Sequence, residues 1–336
     1  MSTVTSARAP LFRGNGRIDY VERAYRQPGV GELLIGARAN ALCGTDRGFW
    51  NHGAEHVPGH ETAGIVLETG EGTTTAVGAR GVVFLMDFCG ECRSCRLGAT
   101  HQCLAKRGDM GITDDGGYGP YEVVHESNFF PITDDIDFVT ATMLLDVMGT
   151  SGHAIMRAQQ VRTDIESVYV AGAGPIGLGL LVMSKLVLGR DVPVYISDIS
   201  AWRRDFAGSL GGIPIDAMDL SPVGRPDVAF DASGRESARR GALDILGQRG
   251  ALVCVGHGEG VTLNVSRDLI APEHSVLGSE YFRFDEMPRN LELLRANTDY
   301  ISRVITHRMP VAELDRAFEL FLAGETGKVV VEHDAR

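Results

Sequence analysis

The chain has 336 residues, of which 44% are hydrophobic and 23% are charged, and its formal net charge at pH 7 is −12. At about 150 residues per domain, this length predicts about two domains with a sizeable core. Nucleic acids and anionic membrane surfaces bind net positive patches, so the charge argues against both as main partners. No apolar signal core or run of the ~20 residues that cross a bilayer is visible, so we expect a cytoplasmic protein.

The first region, residues 1–148, is rich in glycine and in short runs of β-type residues. Examples are the runs at 32–36, 63–68 and 82–86. Turn-forming residues separate these runs, and this pattern is typical of short strands joined by turns. The sequence therefore predicts a compact, irregular and mainly β domain in this region.

The second region, residues 149–282, alternates β-type runs with helical stretches. We expect strands at 168–171, 192–197, 227–232, 251–255 and 275–279, and helices at 175–188, 202–210 and 236–246. Such alternation is typical of βαβ units, whose strands form a buried parallel sheet. The remaining residues, 283–336, carry helical patterns at 287–296 and 311–323 and end in a β-type run at 327–332.

Four of the six cysteines lie close together, as Cys89, Cys92, Cys95 and Cys103. In a reducing compartment, clustered cysteines indicate metal ligands rather than disulfides. Four thiolates fill a tetrahedral Zn²⁺ and leave no open position, so the spacing predicts a structural zinc site. An iron–sulfur cluster is the alternative metal, but the last gap is seven residues and Leu104 follows in place of proline.

A glycine-rich turn follows the β-type run at 168–171 and opens a helical stretch. Its residues are Gly172, Gly174, Pro175, Ile176 and Gly177, in the pattern GxGxxG. In this setting the first glycine allows a tight turn, the second lets the backbone approach a pyrophosphate, and the third allows helix and strand to pack closely. The helix N-terminus then attracts the phosphates. The turn therefore predicts a dinucleotide cofactor.

Asp198 lies twenty-one residues after Gly177, at the end of the second expected strand. A carboxylate there accepts hydrogen bonds from the adenosine ribose and repels a 2′-phosphate, so we expect NAD rather than NADP. Arg203, which we place in the cofactor site, and Arg204 are close enough in sequence to complicate that preference. The alternative is that the glycines merely turn the chain and Asp198 caps the next helix.

A second set of possible ligands, Cys43, His60, Glu61 and Asp146, carries no local spacing signal. The order of motifs gives these residues a context: Cys43-Gly-Thr-Asp, Gly-His60-Glu61, the four-cysteine loop and then the glycine turn. Over nearly the whole chain this order resembles the zinc-containing medium-chain alcohol dehydrogenase family. The stretches 49–53 and 146–154 are most similar to its sorbitol or polyol dehydrogenase branch.

The resemblance implies an α/β protein with two kinds of domain. Residues 1–148 would form a GroES-like catalytic domain, with the structural zinc loop at 89–103. Residues 149–282 would form a Rossmann domain with a doubly wound parallel sheet, and residues 283–336 would return to the catalytic domain. The family also implies a homo-oligomer, either a dimer or a tetramer.

The same resemblance implies a catalytic zinc ion with Cys43 and His60 as ligands. Asp146 stands where polyol dehydrogenases carry a glutamate and classical alcohol dehydrogenases a cysteine. Glu61 would either coordinate the metal directly or exchange with substrate. Asp46 would orient His60 through its free ring nitrogen. Such a mixed ligand set leaves a position open for water or substrate.

The proton relay departs from the family pattern. Many members carry a histidine five residues after the first cysteine ligand, where this chain has Gly48. Either His52 substitutes for it, or the relay ends at Thr45 and the cofactor ribose. From their proximity to the motifs, we expect four residues near the substrate pocket: Asp46, Arg47, Trp50 and Tyr118.

By resemblance the reaction is reversible oxidation of a secondary alcohol, such as a polyol, sugar or cyclitol, to a ketone with hydride transfer to NAD. One alternative is a zinc-free quinone or enone reductase of the same superfamily, which Cys43, His60 and the cysteine loop argue against. The other is a zinc-stabilised binding or regulatory protein without turnover, since fold does not fix function.

Overall fold

The computed structural model describes residues 5–334. In chain order its strands are β1 Thr5–Gly14, β2 Arg17–Tyr25, β3 Glu32–Ala41, β4 Thr62–Thr69, β5 Arg80–Val83, β6 Met86–Asp87, β7 Gly108–Asp109, β8 Tyr121–His125, β9 Phe129–Pro131, β10 Val168–Ala171, β11 Val194–Asp198, β12 Ile213–Asp216, β13 Val228–Asp231, β14 Ala251–Cys254, β15 Ser275–Gly278, β16 Ile305–Pro310 and β17 Lys328–Glu332. Its helices are α1 Arg47–His52, α2 Arg93–Arg96, α3 Phe138–Ala141, α4 Ser151–Gln159, α5 Pro175–Val187, α6 Ala201–Ser209, α7 Glu236–Ile245, α8 Met287–Ala296, α9 Thr298–Ile301 and α10 Leu314–Ala323.

One sheet is parallel throughout, in the order β12-β11-β10-β13-β14-β15. Its strands lie in the order 3-2-1-4-5-6 of a doubly wound dinucleotide-binding domain, in which the ligand crevice lies at the carboxyl ends of the strands. Each residue of β10 and β13 is buried, as expected for strands covered on both faces. This sheet confirms the predicted Rossmann fold.

The other large sheet belongs to the mainly β part of the chain and runs β16-β17-β3-β4-β5-β9, with β8 also paired to β3. It is antiparallel except for the β16–β17 pair. The C-terminal strand β17 pairs with β3 near the N-terminus, with Val330 opposite Ala41. This second sheet completes the predicted fold class, whereas the proposed domain boundaries remain predictions.

Most expected elements end within three residues of their expected bounds, and two differ more, since β3 continues to Ala41 beyond the run at 32–36 and the run at 82–86 is divided. The apolar run at 82–86 is not one strand: β5 ends at Val83, and β6 then pairs with β7. Between them, Phe84 donates its backbone N–H to Asn128. The helix expected from 311 begins at Leu314, after a single 3₁₀ turn. Within residues 5–334 no helix is long and apolar enough to cross a membrane.

A π-helical turn, Asp146–Thr150, joins the two parts of the chain. It continues directly into α4, which packs against α5 of the Rossmann domain. The approach is close, because a methyl group on Gly179 would lie 2.5 Å from the Val147 carbonyl oxygen and from Ser151 Oγ. The metal-site segment and the helix of the nucleotide turn therefore form one packed unit.

Glu122 of β8 is an unusual buried acid. Its side chain is fully buried, and neither carboxylate oxygen accepts a hydrogen bond from the described residues. Burial raises the pKa of Glu122 to about 8, although the nearby Thr62 hydroxyl opposes the shift. The folded protein therefore keeps this carboxyl group protonated over a pH range in which an unfolded chain ionises it.

We predict that Glu122→Gln stabilises the protein at alkaline pH. Between about pH 4.5 and pH 8 the unfolded state loses the proton and the folded state keeps it, so wild-type stability falls as pH rises. The glutamine lacks this titration, so its advantage should grow to about 1–3 kcal/mol above pH 8. Urea denaturation from pH 5 to pH 9 measures the difference.

Glu126→Gln is the matched control. Its carboxylate accepts hydrogen bonds from Thr74 and Thr75, which lower the pKa of Glu126 against the opposing effect of burial. This control should lose stability at neutral pH. A pH-independent difference between Glu122→Gln and wild type would contradict a buried proton on Glu122.

Candidate metal centres and nucleotide site

The four loop cysteines converge on one point. Their Sγ atoms lie 3.5 Å apart for Cys92–Cys95 and Cys89–Cys103, 3.9 Å for Cys92–Cys103 and 4.0 Å for Cys89–Cys95. A tetrahedral ion with Zn–S bonds of about 2.3 Å places its sulfurs about 3.8 Å apart. The observed spacings bracket this value, so the loop fits a closed zinc site.

Backbone N–H groups around these sulfurs favour thiolates. Cys92 Sγ accepts hydrogen bonds from the N–H of Cys95 at 3.5 Å and of Leu104 at 3.4 Å. These bonds lower the pKa of Cys92 to about 6. All six cysteines of the chain are free thiols. The loop also docks on the rest of the protein, since Thr100 Oγ1 accepts a hydrogen bond from the Phe284 N–H at 2.9 Å.

The second set of ligands is assembled by the β3–β4 pair and the π-helical turn. Cys43 follows the end of β3, and His60 and Glu61 immediately precede β4. Because the two strands are antiparallel neighbours, the end of one meets the start of the other. The π-helical turn brings Asp146 to the same place, and such turns are frequent at functional sites.

The ligand atoms of these four residues all lie within 4.8 Å of one another. Cys43 Sγ is 3.1 Å from Asp146 Oδ2, and His60 Nε2 is 3.6 Å from the same oxygen. All four side chains are buried, with Cys43 the most exposed at 7%. No local spacing pattern predicts this set, and the structure brings all four residues together.

The charges of the cluster favour a bound cation. Burial and the neighbouring Asp146 raise the pKa of Cys43, and burial raises the pKa of Glu61 to about 8. Three acidic groups in one buried volume repel each other when ionised, and a metal ion displaces their protons. Sulfur, imidazole nitrogen and carboxylate oxygen are all zinc donors, so the residues present fit a catalytic zinc.

Lys328 is the residue of this site that the sequence analysis missed. Its side chain is fully buried at the start of β17, and its Nζ donates to Glu61 Oε1. Glu61 Oε2 is buried and accepts no hydrogen bond from the described residues. A lysine at the head of an apolar strand is a signal that could have found it, because buried lysines are almost always paired.

Asp46 and Tyr118 lie behind His60. Asp46 Oδ1 is 3.5 Å from His60 Nδ1, and Asp46 Oδ2 accepts hydrogen bonds from the Tyr118 hydroxyl at 2.6 Å and from the Cys43 N–H at 3.0 Å. Asp46 and Tyr118 are fully buried. Burial and the charge of Asp46 raise the pKa of Tyr118, so its hydroxyl remains a donor.

The two relay candidates lie in different surroundings. Thr45 is exposed, and its Oγ1 is 3.8 Å from Cys43 Sγ. His52 is exposed at the last position of α1, where the helix end packs on the β1–β2 turn at Gly14. A Cβ atom added at Gly48 would have no atom of the described residues within 4 Å.

The glycine turn connects β10 to α5. Gly172 has φ +97°, which favours glycine, and a methyl group on Gly177 would lie 1.8 Å from the Gly172 carbonyl oxygen. A methyl group on Gly174 would meet only Arg203 Nη1, at 3.9 Å, so the backbone there is open on one side. Pro175 occupies the first turn of α5, where its missing N–H costs nothing.

Asp198 and Arg203 stand beside this turn. Asp198 ends β11, and its carboxylate accepts hydrogen bonds from the N–H groups of Ala173 and Ser200, both at 2.8 Å. Arg203 Nη1 is 3.9 Å from Asp198 Oδ2. Arg203 Nε is buried and has no acceptor among the described residues. An open glycine backbone beside a guanidinium fits a pyrophosphate.

Comparison with known proteins gives the same picture. Residues 29–134 match the family model of the alcohol dehydrogenase GroES-like domain. A thermostable alcohol dehydrogenase from Pyrobaculum aerophilum, solved with cobalt and zinc bound, is 28% identical, with a TM-score of 0.85 over 98% of this chain and 100% of that one. A Sinorhizobium meliloti protein solved with NADP is 26% identical, with a TM-score of 0.83 over 98% of this chain and 99% of that one.

An L-threonine 3-dehydrogenase from Francisella tularensis subsp. mediasiatica is 31% identical over an alignment of 336 positions. The alignment covers 90% of this chain and 92% of the relative. The similarity to the sorbitol or polyol branch remains a prediction. Because the match extends through both sheets and not through one domain alone, the chain belongs to the zinc-containing medium-chain alcohol dehydrogenase family, as its motifs predicted.

Proposed function

We propose that the protein is an NAD-dependent zinc dehydrogenase that interconverts a polar secondary alcohol and the corresponding ketone. The observation that carries this proposal is the convergence of Cys43, His60, Glu61 and Asp146 in one buried cluster. The π-helical turn ties that cluster to the helix of the nucleotide turn. An oxidoreductase needs both sites side by side, and a merely structural cluster does not.

The substrate class is a polyol, sugar or cyclitol-like alcohol. This part of the proposal rests on the resemblance to the polyol branch at 49–53 and 146–154. The L-threonine 3-dehydrogenase relative is compatible with it, because the hydroxyl group on C3 of threonine is also on a secondary carbon. We further propose a cytoplasmic homo-oligomer, either a dimer or a tetramer, as the family resemblance implies.

In the proposed mechanism Cys43, His60 and Asp146 would hold the catalytic zinc, and Glu61 would be the exchangeable fourth donor. When bound, zinc would supply a Lewis acid for the substrate oxygen, and the nicotinamide the hydride acceptor. Thr45, an exposed hydroxyl 3.8 Å from Cys43 Sγ, would take the alcohol proton and pass it to solvent through the cofactor ribose. His52 is the alternative relay. Lys328 holds Glu61 on one oxygen and leaves the other free.

The coenzyme preference follows from the charge at the end of β11. Asp198 accepts hydrogen bonds from the adenosine ribose and repels a 2′-phosphate, which favours NAD. Arg203 lies over the glycine turn and neutralises the pyrophosphate. NADP is the alternative, since it occupies the Sinorhizobium meliloti structure and Arg203 and Arg204 offer positive charge nearby.

A zinc-free reductase is the main competing function. It would leave three buried acidic groups, Cys43, Glu61 and Asp146, with one lysine between them. A zinc-stabilised binding protein without turnover is the other competitor. Both competitors differ from the proposed dehydrogenase in one simple readout, because only the dehydrogenase changes nicotinamide absorbance when polyols are added.

The central test is Cys43→Ser. We expect wild type to hold two zinc ions per chain and to reduce NAD with one or more of a panel of secondary alcohols. The variant should keep the structural ion alone and lose turnover while it stays folded. Zinc analysis and NADH absorbance on the same sample measure both effects.

Cys254→Ser is the control, since Cys254 lies in β14 away from both clusters and should leave the zinc count unchanged. Retained turnover in Cys43→Ser would reject the assignment. A wild type with a single zinc ion would favour the zinc-free alternative instead.

We predict that Asp198→Ala narrows the ratio of kcat/KM for NAD over NADP, because it removes both the ribose acceptor and the charge that repels a 2′-phosphate. A shift of about tenfold or more is expected for loss of a charge-assisted hydrogen bond of ~1.5–3 kcal/mol. Asp191→Ala, at an exposed position in the loop that precedes β11, should leave the ratio unchanged. An unaltered ratio in Asp198→Ala would remove this residue from the ribose site.

We predict that at pH 9, where Glu61 is ionised, Lys328→Met lowers the free energy of unfolding by about 3–5 kcal/mol, because it leaves the buried Glu61 carboxylate without its cation. Adding Glu61→Gln to the same chain should recover most of that loss, since the second change neutralises the stranded charge. Denaturant unfolding of the two single variants and the double variant measures this coupling. Additive losses would mean that the two side chains do not stabilise each other.

A further inference from the structure

Asp46 is held from two sides. Its Oδ2 accepts one hydrogen bond from the Cys43 N–H and a shorter one, at 2.6 Å, from the Tyr118 hydroxyl. Its Oδ1 faces His60 Nδ1 at 3.5 Å, and neither atom has a hydrogen-bond partner among the described residues. Two donors on one oxygen thus direct the other oxygen at the imidazole.

The ring of Tyr118 is fixed independently of its hydroxyl. It packs against Phe12 and Phe318, with ring centroids 6.0 Å and 5.7 Å away. The backbone of the same residue is held as well, because its N–H donates to the Pro58 carbonyl. A phenylalanine ring would keep these contacts and lose only the bond to Asp46, so packing and hydrogen bonding can be separated by experiment.

We propose that Tyr118 is a positioning residue of the catalytic metal centre, acting on His60 through Asp46. The proposal rests on the proposed function, in that it takes the buried cluster to be a zinc site. With Asp46 Oδ1 turned to His60 Nδ1, the Nε2 atom faces Cys43 and Asp146, where the metal would bind. Tyr118 would fix that ring orientation through Asp46.

The chemistry requires a rigid donor in this place. A carboxylate held by one hydrogen bond can rotate about its last torsion, and a rotated Asp46 no longer presents Oδ1 to the imidazole. A buried tyrosine hydroxyl is well suited to prevent the rotation, because it has one rotatable proton and a ring locked by packing. Bonds to a charged acceptor are also about twice as strong as neutral ones.

The test is Tyr118→Phe, with the affinity of the catalytic site for zinc as the main readout. Competition with a chromophoric chelator, on protein whose structural site stays loaded, measures that affinity without any turnover. We expect a loss of about 10–100-fold, the usual effect of removing a partner that orients a metal-bound histidine. Cobalt substitution adds a second readout, since a misoriented imidazole changes the visible spectrum.

Tyr25→Phe is the matched control. Tyr25 is also buried in this part of the protein, and its hydroxyl has no hydrogen-bond partner among the described residues. Losing that hydroxyl should leave the zinc affinity within about twofold of wild type. Equal losses in both variants would indicate a general effect of removing a buried hydroxyl and would overturn the proposal.

A double-variant cycle with Asp46→Asn tests whether Tyr118 works through Asp46. If it does, Tyr118→Phe costs little further zinc affinity once Asp46 is already an amide, so the two losses are not additive. Additive losses, or an unchanged affinity in Tyr118→Phe, would overturn the inference. Failure of the proposed function looks different, because the wild type itself would then bind only one zinc ion.

Discussion

Burying ionisable side chains is costly unless opposite charge lies close, and Cys43, Glu61 and Asp146 are buried together around His60. Lys328 supplies one positive charge inside the protein, and in the proposed function a divalent cation would supply the rest. The pairing of distant strands places these charged groups next to each other. Strand β17 returns from the end of the chain to pair with β3, and Leu42 donates its N–H to the Val329 carbonyl. That pairing delivers Lys328 to the same end of β3 that carries Cys43.

The parallel sheet could be predicted from the sequence because its signals are local. The apolar run at 168–171, the glycine turn and the helix from Pro175 follow one another without interruption, and every residue of the central strands β10 and β13 is buried. The β1–β2 hairpin and β12 gave weaker signals. In β12 only Ile215 is buried, so the strand lacks the apolar pattern that marked its neighbours. Such strands are placed by pairing with distant partners, which composition does not reveal.

The candidate sites also differ in whether their residues have a local sequence signal. The four-cysteine loop and the glycine turn are contiguous, and spacing alone identified them. Cys43, His60 and Asp146 came only from the order of motifs and the family resemblance, because more than one hundred residues separate the first from the last. Lys328 was missed, since the partner that makes a buried lysine tolerable lies 267 residues away. The bond from Tyr118 to Asp46 depends on a loop path that no local pattern describes.

The π-helical turn at Asp146–Thr150 has a mechanical consequence. Asp146 is covalently continuous with α4, which is packed on α5 of the Rossmann domain, whereas Cys43 and His60 are anchored to the β3–β4 pair. The metal would thus have ligands from two parts of the fold, the π-helical turn and the β3–β4 pair. Any hinge motion that separates the two sheets would either move Asp146 away from Cys43 and His60 or bend the π-helical turn. In the proposed function, an opening of this crevice to exchange coenzyme would therefore also loosen the zinc site.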